Sequence, residues 1–295
     1  MTNNTMPRYN IDSCALIVEF SAPVWTARKL DRTTTDEVVS NKNAAAKDAA
    51  RVNKHLLAGR SELDVITTMV NRARSWVNTN TLPWSDNGQR LLPATQFLAF
   101  DKKLKEFEVE FNQRVSDFIT IYPSLITAQA MALGDMFRRD DYPLSTDLPR
   151  KFSFRFNYLP VPTMGDFRIN VGNEAQREIQ EQMQKLADKR VDEAMADIKE
   201  RLRDHMKRMS DRLSTDEVDG EVKKRRFHDT VIDGALELCD LIKSMNLTND
   251  PGLEDARKSL EMALVGITPV EIRKNEAIRE DLKKEVDSIL DKFSF

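Results

Sequence analysis

The stretch NEAQREIQEQMQKLADKRVDEAMADIKERLRDHMKRMSDRL, residues 173–213, decides the fold class of this chain. Its apolar residues recur mostly at steps of three and four, which is the spacing of one face of an α-helix. A helix over this stretch would be about 60 Å long. One step of five interrupts the apolar seam, and this favours a helical hairpin or a coiled-coil arm over a long parallel zipper. A second helical segment, residues 221–245, is expected to fold back on the first.

The clearest strand pattern is FSFRFNYL, residues 152–159. Its aromatic side chains occupy alternate positions, so they share one face of a strand. The stretch CALIVEF, residues 14–20, alternates in the same way, and so do residues 166–171. Together these strands predict a small antiparallel sheet with one buried face.

The composition agrees with a helix-rich protein. The chain has 295 residues, of which 32% are charged, and it contains only nine glycines and eleven prolines. We therefore predict an α+β fold, mostly α, with a small three-stranded antiparallel sheet, helices and a long helical hairpin or coiled-coil arm. The predicted parts are an α+β body over residues 1–172, the arm over residues 173–246 and short C-terminal helices over residues 247–295.

Local signals predict further boundaries. The Ala-rich residues 36–58 favour a helix that Gly59 ends. Residues 79–93 contain two prolines and favour a loop. The aromatic stripe of residues 94–122 favours a core-facing helix, and Pro123 is expected to end it.

The motifs of common enzymes and metal sites are absent from the sequence. No glycines have the spacing of a P-loop or of a dinucleotide-binding loop. The sequence contains neither H-E-x-x-H nor C-x-x-C, and it contains no G-x-S-x-G. We therefore predict no catalytic residues, no cofactor and no metal ion, and a protein that is not an enzyme.

Cysteine use and hydropathy bear on the location of the protein. Cys14 and Cys239 are the only cysteines, and two distant thiols favour a reducing cytoplasm over a disulfide framework. No apolar run approaches the roughly 18 residues of a membrane span. The first residues show no secretory-signal pattern. A cytoplasmic protein without a membrane partner is expected, in the host cytoplasm if a phage encodes it.

Basic residues close to aromatic ones are the candidate contacts to nucleic acid. Single-stranded nucleic-acid binders combine cations for the phosphates with aromatic rings on which bases stack. Each candidate also has an ordinary structural interpretation, since Trp25 could belong to the core and the basic run 223–226 could be a solvated helix face. The candidates are Trp25, Arg28, Lys29, Arg32, Arg155, Arg168, Lys223, Lys224, Arg225 and Arg226.

The order of these features resembles a phage and bacterial family called domain of unknown function 3150. The resemblance covers about residues 14–215. It rests on the segment WTARKL (residues 25–30), the loop around LPW (residues 82–84), the helix from Phe111 to the Tyr-Pro pair at 122–123, and the F-x-F hairpin before the long charged helix. Genes of this family are associated with genes for MoxR-type AAA+ ATPases and von Willebrand A-domain proteins. The resemblance therefore implies an adaptor or substrate role beside a remodelling machine.

Two functional hypotheses follow from the sequence. The first is a non-catalytic, phage-encoded interaction or adaptor protein that acts through the long helical arm, by self-association or by binding a partner protein, beside an AAA+ machine. The alternative is a single-stranded nucleic-acid-binding accessory protein of phage DNA metabolism. The formal net charge of −3 argues against tight non-specific binding to nucleic acid, because such binding depends on phosphate neutralisation.

Overall fold

The structure is a computed structural model that describes residues 11–46, 48–162, 173–218, 221–225 and 227–293. For residues 173, 216–218 and 221–224 it describes the backbone alone. The fold is α+β and mostly α, as the sequence predicts.

Eight α-helices lie within the described residues. They are α1 (Arg32–Asn41), α2 (Glu62–Thr79), α3 (Phe97–Ala132), α4 (Asn173–Leu213), α5 (Thr230–Met245), α6 (Pro251–Leu264), α7 (Pro269–Lys274) and α8 (Glu276–Lys292).

Eight short strands lie within the same residues. They are β1 (Ala15–Ser21), β2 (Arg28–Leu30), β3 (Asn53–His55), β4 (Leu82–Pro83), β5 (Arg90–Pro93), β6 (Arg155–Pro160), β7 (Thr215–Val218) and β8 (Glu221–Lys224).

The main sheet has four strands in the order β4-β5-β1-β6, not the three that the sequence predicts. Strand β5 pairs antiparallel with both β1 and β4. The prediction of a loop over residues 79–93 is therefore wrong. Leu82, Leu91 and Leu92 are buried there, and Pro83 lies in the edge strand, where a missing N–H costs no ladder bond. The predicted strand over residues 166–171 lies outside the described residues.

The chain divides into two compact units, each discontinuous in sequence. Unit 1 comprises residues 1–19, 77–100 and 157–295. Unit 2 comprises residues 20–76 and 101–156.

Helix α4 runs through the core of unit 1. From Val191 to Leu213 its apolar seam is buried, and this part of α4 packs against α8, α5 and β4. No described side chain between residues 174 and 190 of α4 is buried. The single helix over residues 173–213 confirms the predicted span, but a coiled coil is not supported, because α4 packs on several elements of its own unit.

Aromatic side chains form the core of unit 2. Phe111 and Phe118 of α3 are both buried, and their rings lie 5.5 Å from Phe154 and 5.9 Å from Phe152, respectively. The ring of Phe20 contacts Phe154 edge-on at 5.0 Å. This packing confirms the prediction that the aromatic stripe of α3 faces a core.

Helix α3 continues through Pro123, so the predicted end of the helix there is wrong. A proline inside a helix costs roughly 3 kcal/mol. Burial of Tyr122, Leu125 and Ile126 around it offsets this cost.

Of two other helix predictions, one is wrong and one is right only in its second part. Residues 36–58 contain only the end of α1 and then β3, because β3 pairs with β2. Residues 221–245 begin with β8, which forms a hairpin with β7, and α5 starts only at Thr230.

Candidate functional site

A cleft of about 380 Å³ in unit 2 contains two of the basic residues that the sequence singles out. We call it the Lys54 cleft. It is formed by the end of β2, the start of α1, one residue of β3 and a turn that follows α3. Its lining residues are Lys29, Leu30, Asp31, Arg32, Thr33, Lys54, Arg138 and Asp141.

Lys54 forms the base of the cleft. Its side chain is 3% exposed, and its Nζ lies 2.5 Å from Asp141 and 3.5 Å from Asp31. Nζ also donates to the backbone carbonyl of Met136 at 2.7 Å. A buried ammonium is tolerable only when charges and acceptors surround it in this way.

Lys29 stands beside Lys54 because the two residues are register partners in the β2–β3 pair. Its Nζ contacts the second carboxylate oxygen of Asp141 at 2.9 Å. Burial raises the pKa of Asp141, but hydrogen bonds from the two lysines outweigh it, and the net pKa is below the usual value. Asp141 is therefore ionised near neutral pH and is held by both lysines.

Asp31 links the cleft to α1. It is the N-cap of that helix, and its side chain accepts from the backbone N–H of Thr34 at 3.1 Å. This backbone hydrogen bond, with the charge of Lys54, lowers the pKa of Asp31 despite some desolvation. A carboxylate that caps a helix and pairs with a lysine is poorly suited to proton transfer.

Two exposed arginines border the cleft without an ion-pair partner among the described residues. Arg32 opens α1, and Arg138 places Nη2 3.4 Å from Oγ1 of Thr33. The two lysines balance the two aspartates, so the arginines give the cleft a net charge of +2. Such a surplus attracts anions, and guanidinium groups match the geometry of phosphate.

Trp25 and Arg28 precede the cleft along the chain. The Trp25 ring is half-buried and lies 5.8 Å from the ring of Tyr122 and 6.4 Å from that of Phe118. Arg28 is exposed in β2 but does not line the cleft. Of the sequence candidates, the structure thus places Lys29 and Arg32 in the cleft.

The remaining candidates lie elsewhere or outside the description. Arg155 is exposed in β6. Arg225 pairs with Asp211 within unit 1. Lys223 and Lys224 belong to β8, with only their backbone described, while Arg168 and Arg226 lie outside the described residues.

Sequence reasoning missed three members of the cleft. Lys54 falls in residues 36–58, which the sequence predicts to be helical, and Asp141 carried no local signal. Arg138 carried no signal. A hydrogen bond from the hydroxyl of Tyr142 to the carbonyl of Leu56, 2.7 Å long, ties the Asp141 turn to the chain just after β3. This tertiary contact, with the ion pairs of Asp141, brings the turn to the lysines.

Comparison of the chain with protein families, curated proteins and solved structures finds no match. The resemblance to the domain of unknown function 3150 family therefore stays a prediction. Among the described residues, no helix is long and apolar enough to cross a membrane. Within that same part of the chain, no group of three or more His, Cys, Asp or Glu side chains could hold a metal ion.

Proposed function

We propose that this protein is a non-catalytic binding protein whose ligand is a single-stranded nucleic acid, contacted through the Lys54 cleft and the cations around it. One observation carries the proposal. The two carboxylates of the cleft are already paired with lysines, so Arg32 and Arg138 remain available to phosphate.

The surroundings of the cleft add support. Arg28 is exposed nearby in sequence, and the half-buried ring of Trp25 leaves part of its surface accessible. Cations beside an aromatic ring are the combination that single strands require, since phosphates meet the charges and bases meet the ring.

Fluorescence anisotropy of the full chain with a labelled single-stranded oligonucleotide tests the proposal. We expect saturable binding at low salt that weakens steeply as salt rises, because bound phosphates release counterions. The double variant Arg28→Gln, Arg32→Gln should flatten the salt dependence. Arg60→Gln is the matched control, since Arg60 is exposed in unit 2 but does not line the cleft. Absence of binding at low salt would reject the proposal.

The other hypothesis, an interaction or adaptor protein that acts through the long helix beside an AAA+ machine, stays a prediction. The structure limits where a partner could bind on α4. Its apolar seam from Val191 to Leu213 is part of the core of unit 1, whereas no described side chain of residues 174–190 is buried, so that first part offers a partner the larger open surface.

A further inference from the structure

The charge balance of the Lys54 cleft distinguishes between kinds of phosphate. Its surplus of two positive charges comes from two arginines at its border. A phosphomonoester carries about −1.5 to −2 at pH 7. An internal phosphodiester carries a single negative charge, so it would leave one arginine uncompensated.

The positions of the two arginines fit one shared phosphate group. Arg32 directly precedes Thr33, and the guanidinium of Arg138 reaches the hydroxyl of Thr33. Both residues line the Lys54 cleft, one next to Thr33 in sequence and the other in contact with it. Two planar guanidinium forks can donate together to the terminal oxygens of one phosphate.

The lysines and aspartates hold this arrangement rather than compete for the ligand. Lys54 is buried, with two carboxylates and a carbonyl around its ammonium group. Lys29 forms a second ion pair with Asp141. A cleft of about 380 Å³ also accepts more than a phosphate, since small-ligand sites begin at roughly 300 Å³.

We propose that the Lys54 cleft binds a phosphomonoester between Arg32 and Arg138, namely the phosphorylated 5′ end of a single strand. The inference rests on the proposed function, because it specifies which part of the strand enters the cleft. The rest of the strand would follow the exposed Arg28 of β2.

Two oligonucleotides of one sequence, with a 5′-phosphate or a 5′-hydroxyl and a label at the 3′ end, test the inference by anisotropy. We expect the full chain to bind the 5′-phosphate form about tenfold more tightly, the gain of one charge-assisted contact. Arg32→Gln and Arg138→Gln should each remove this preference, and Arg60→Gln should keep it. Both cleft arginines are exposed, so the variants should fold, which circular dichroism checks.

The outcomes separate the inference from the proposed function. Equal affinity for the two oligonucleotides would overturn the inference and leave nucleic-acid binding standing. If neither oligonucleotide binds at low salt, methyl phosphate and dimethyl phosphate replace them in an NMR titration. Shifts at Arg32 and Thr33 with methyl phosphate alone would support a monoester site, while no shift with either compound would overturn it.

Discussion

Replacement of Arg279 is the sharpest test of how unit 1 is held together. Arg279 lies in α8 and is 2% exposed. Its Nε donates to the carbonyl of Leu213 at 2.8 Å, and its Nη2 donates to the carbonyl of Arg212 at 2.6 Å. These carbonyls end α4, where a helix leaves its last acceptors without partners and concentrates negative potential. The guanidinium thus caps the long helix.

The same guanidinium also fixes the chain after α4. Nη2 donates to the carbonyl of Arg225 at 3.0 Å and contacts that of Ser214 at 3.3 Å, and the group lies 6.0 Å from the ring centroid of Phe227. No carboxylate forms an ion pair with it among the described residues. Burial accordingly lowers the pKa of Arg279, with a partial opposing effect of Glu276.

The expected cost of Arg279→Met follows from these contacts. Hydrogen bonds from a charged donor contribute about 1.5 kcal/mol or more each, and four carbonyls lose theirs. Part of this loss is regained because the cation no longer has to be desolvated. We expect the free energy of unfolding of unit 1 to fall by about 4 kcal/mol. Arg279→Lys should cost less, since one ammonium keeps the charge and some of the bonds.

The measurement is urea unfolding followed by the fluorescence of Trp84, a buried residue of unit 1. The other two tryptophans, Trp25 and Trp76, lie in unit 2 and are replaced by Phe in all samples. Lys284→Met is the matched control on α8, and its 74% exposed side chain should matter by less than about 0.5 kcal/mol. A loss below about 1 kcal/mol for Arg279→Met would refute the capping argument.

Three further predictions concern the rest of the molecule. Asp141→Asn should destabilise unit 2 by about 2 kcal/mol at pH 7, because it removes one partner of the buried Lys54. The pKa of Asp141 is lowered on folding, so its contribution is complete above about pH 4 and is lost as the pH falls through the folded-state pKa. The stability gap between the two proteins should therefore narrow in acid, and a gap that does not narrow as the pH falls would contradict the mechanism. Phe111→Ala should cost about 3–5 kcal/mol in urea unfolding, since it leaves a cavity beside Phe154, and a loss under about 1 kcal/mol would show that the site collapses freely. Burial raises the pKa of Cys239 to about 11, so its thiol should react with a thiol reagent only after unfolding. Comparison with Cys239→Ser identifies which part of the reaction belongs to this thiol, and its fast reaction in the folded protein would disprove the burial.

The sequence predicted the elements whose signals are local and repeated. Three elements appear where the apolar periodicity places them: the seam of α4, the aromatic stripe of α3 and the strand near residues 14–20. Burial of one face of a helix or strand makes apolar residues recur along it at a fixed spacing. The start of α7 is also local in this sense, since Thr268 forms a full capping box with Glu271 three residues later.

The sequence failed where packing outweighs local preference. Pro123 should end a helix, yet buried neighbours on both sides keep α3 continuous. The prolines of residues 79–93 favour a loop, yet β4 and β5 pair there as a hairpin, and β5 joins it to the main sheet by pairing with β1.

The candidate site shows the same division between sequence and structure. By itself the sequence determined that Lys29 and Arg32 lie close together on a basic segment with a nearby tryptophan. Only the tertiary structure brought Lys54 from β3 and the turn of Arg138 and Asp141 to that segment. Ion pairs between residues so far apart in the chain leave no local pattern, since each partner alone is an ordinary charged residue. The balance of charge that leaves Arg32 and Arg138 without a carboxylate partner in the described part of the chain is therefore a property of the fold.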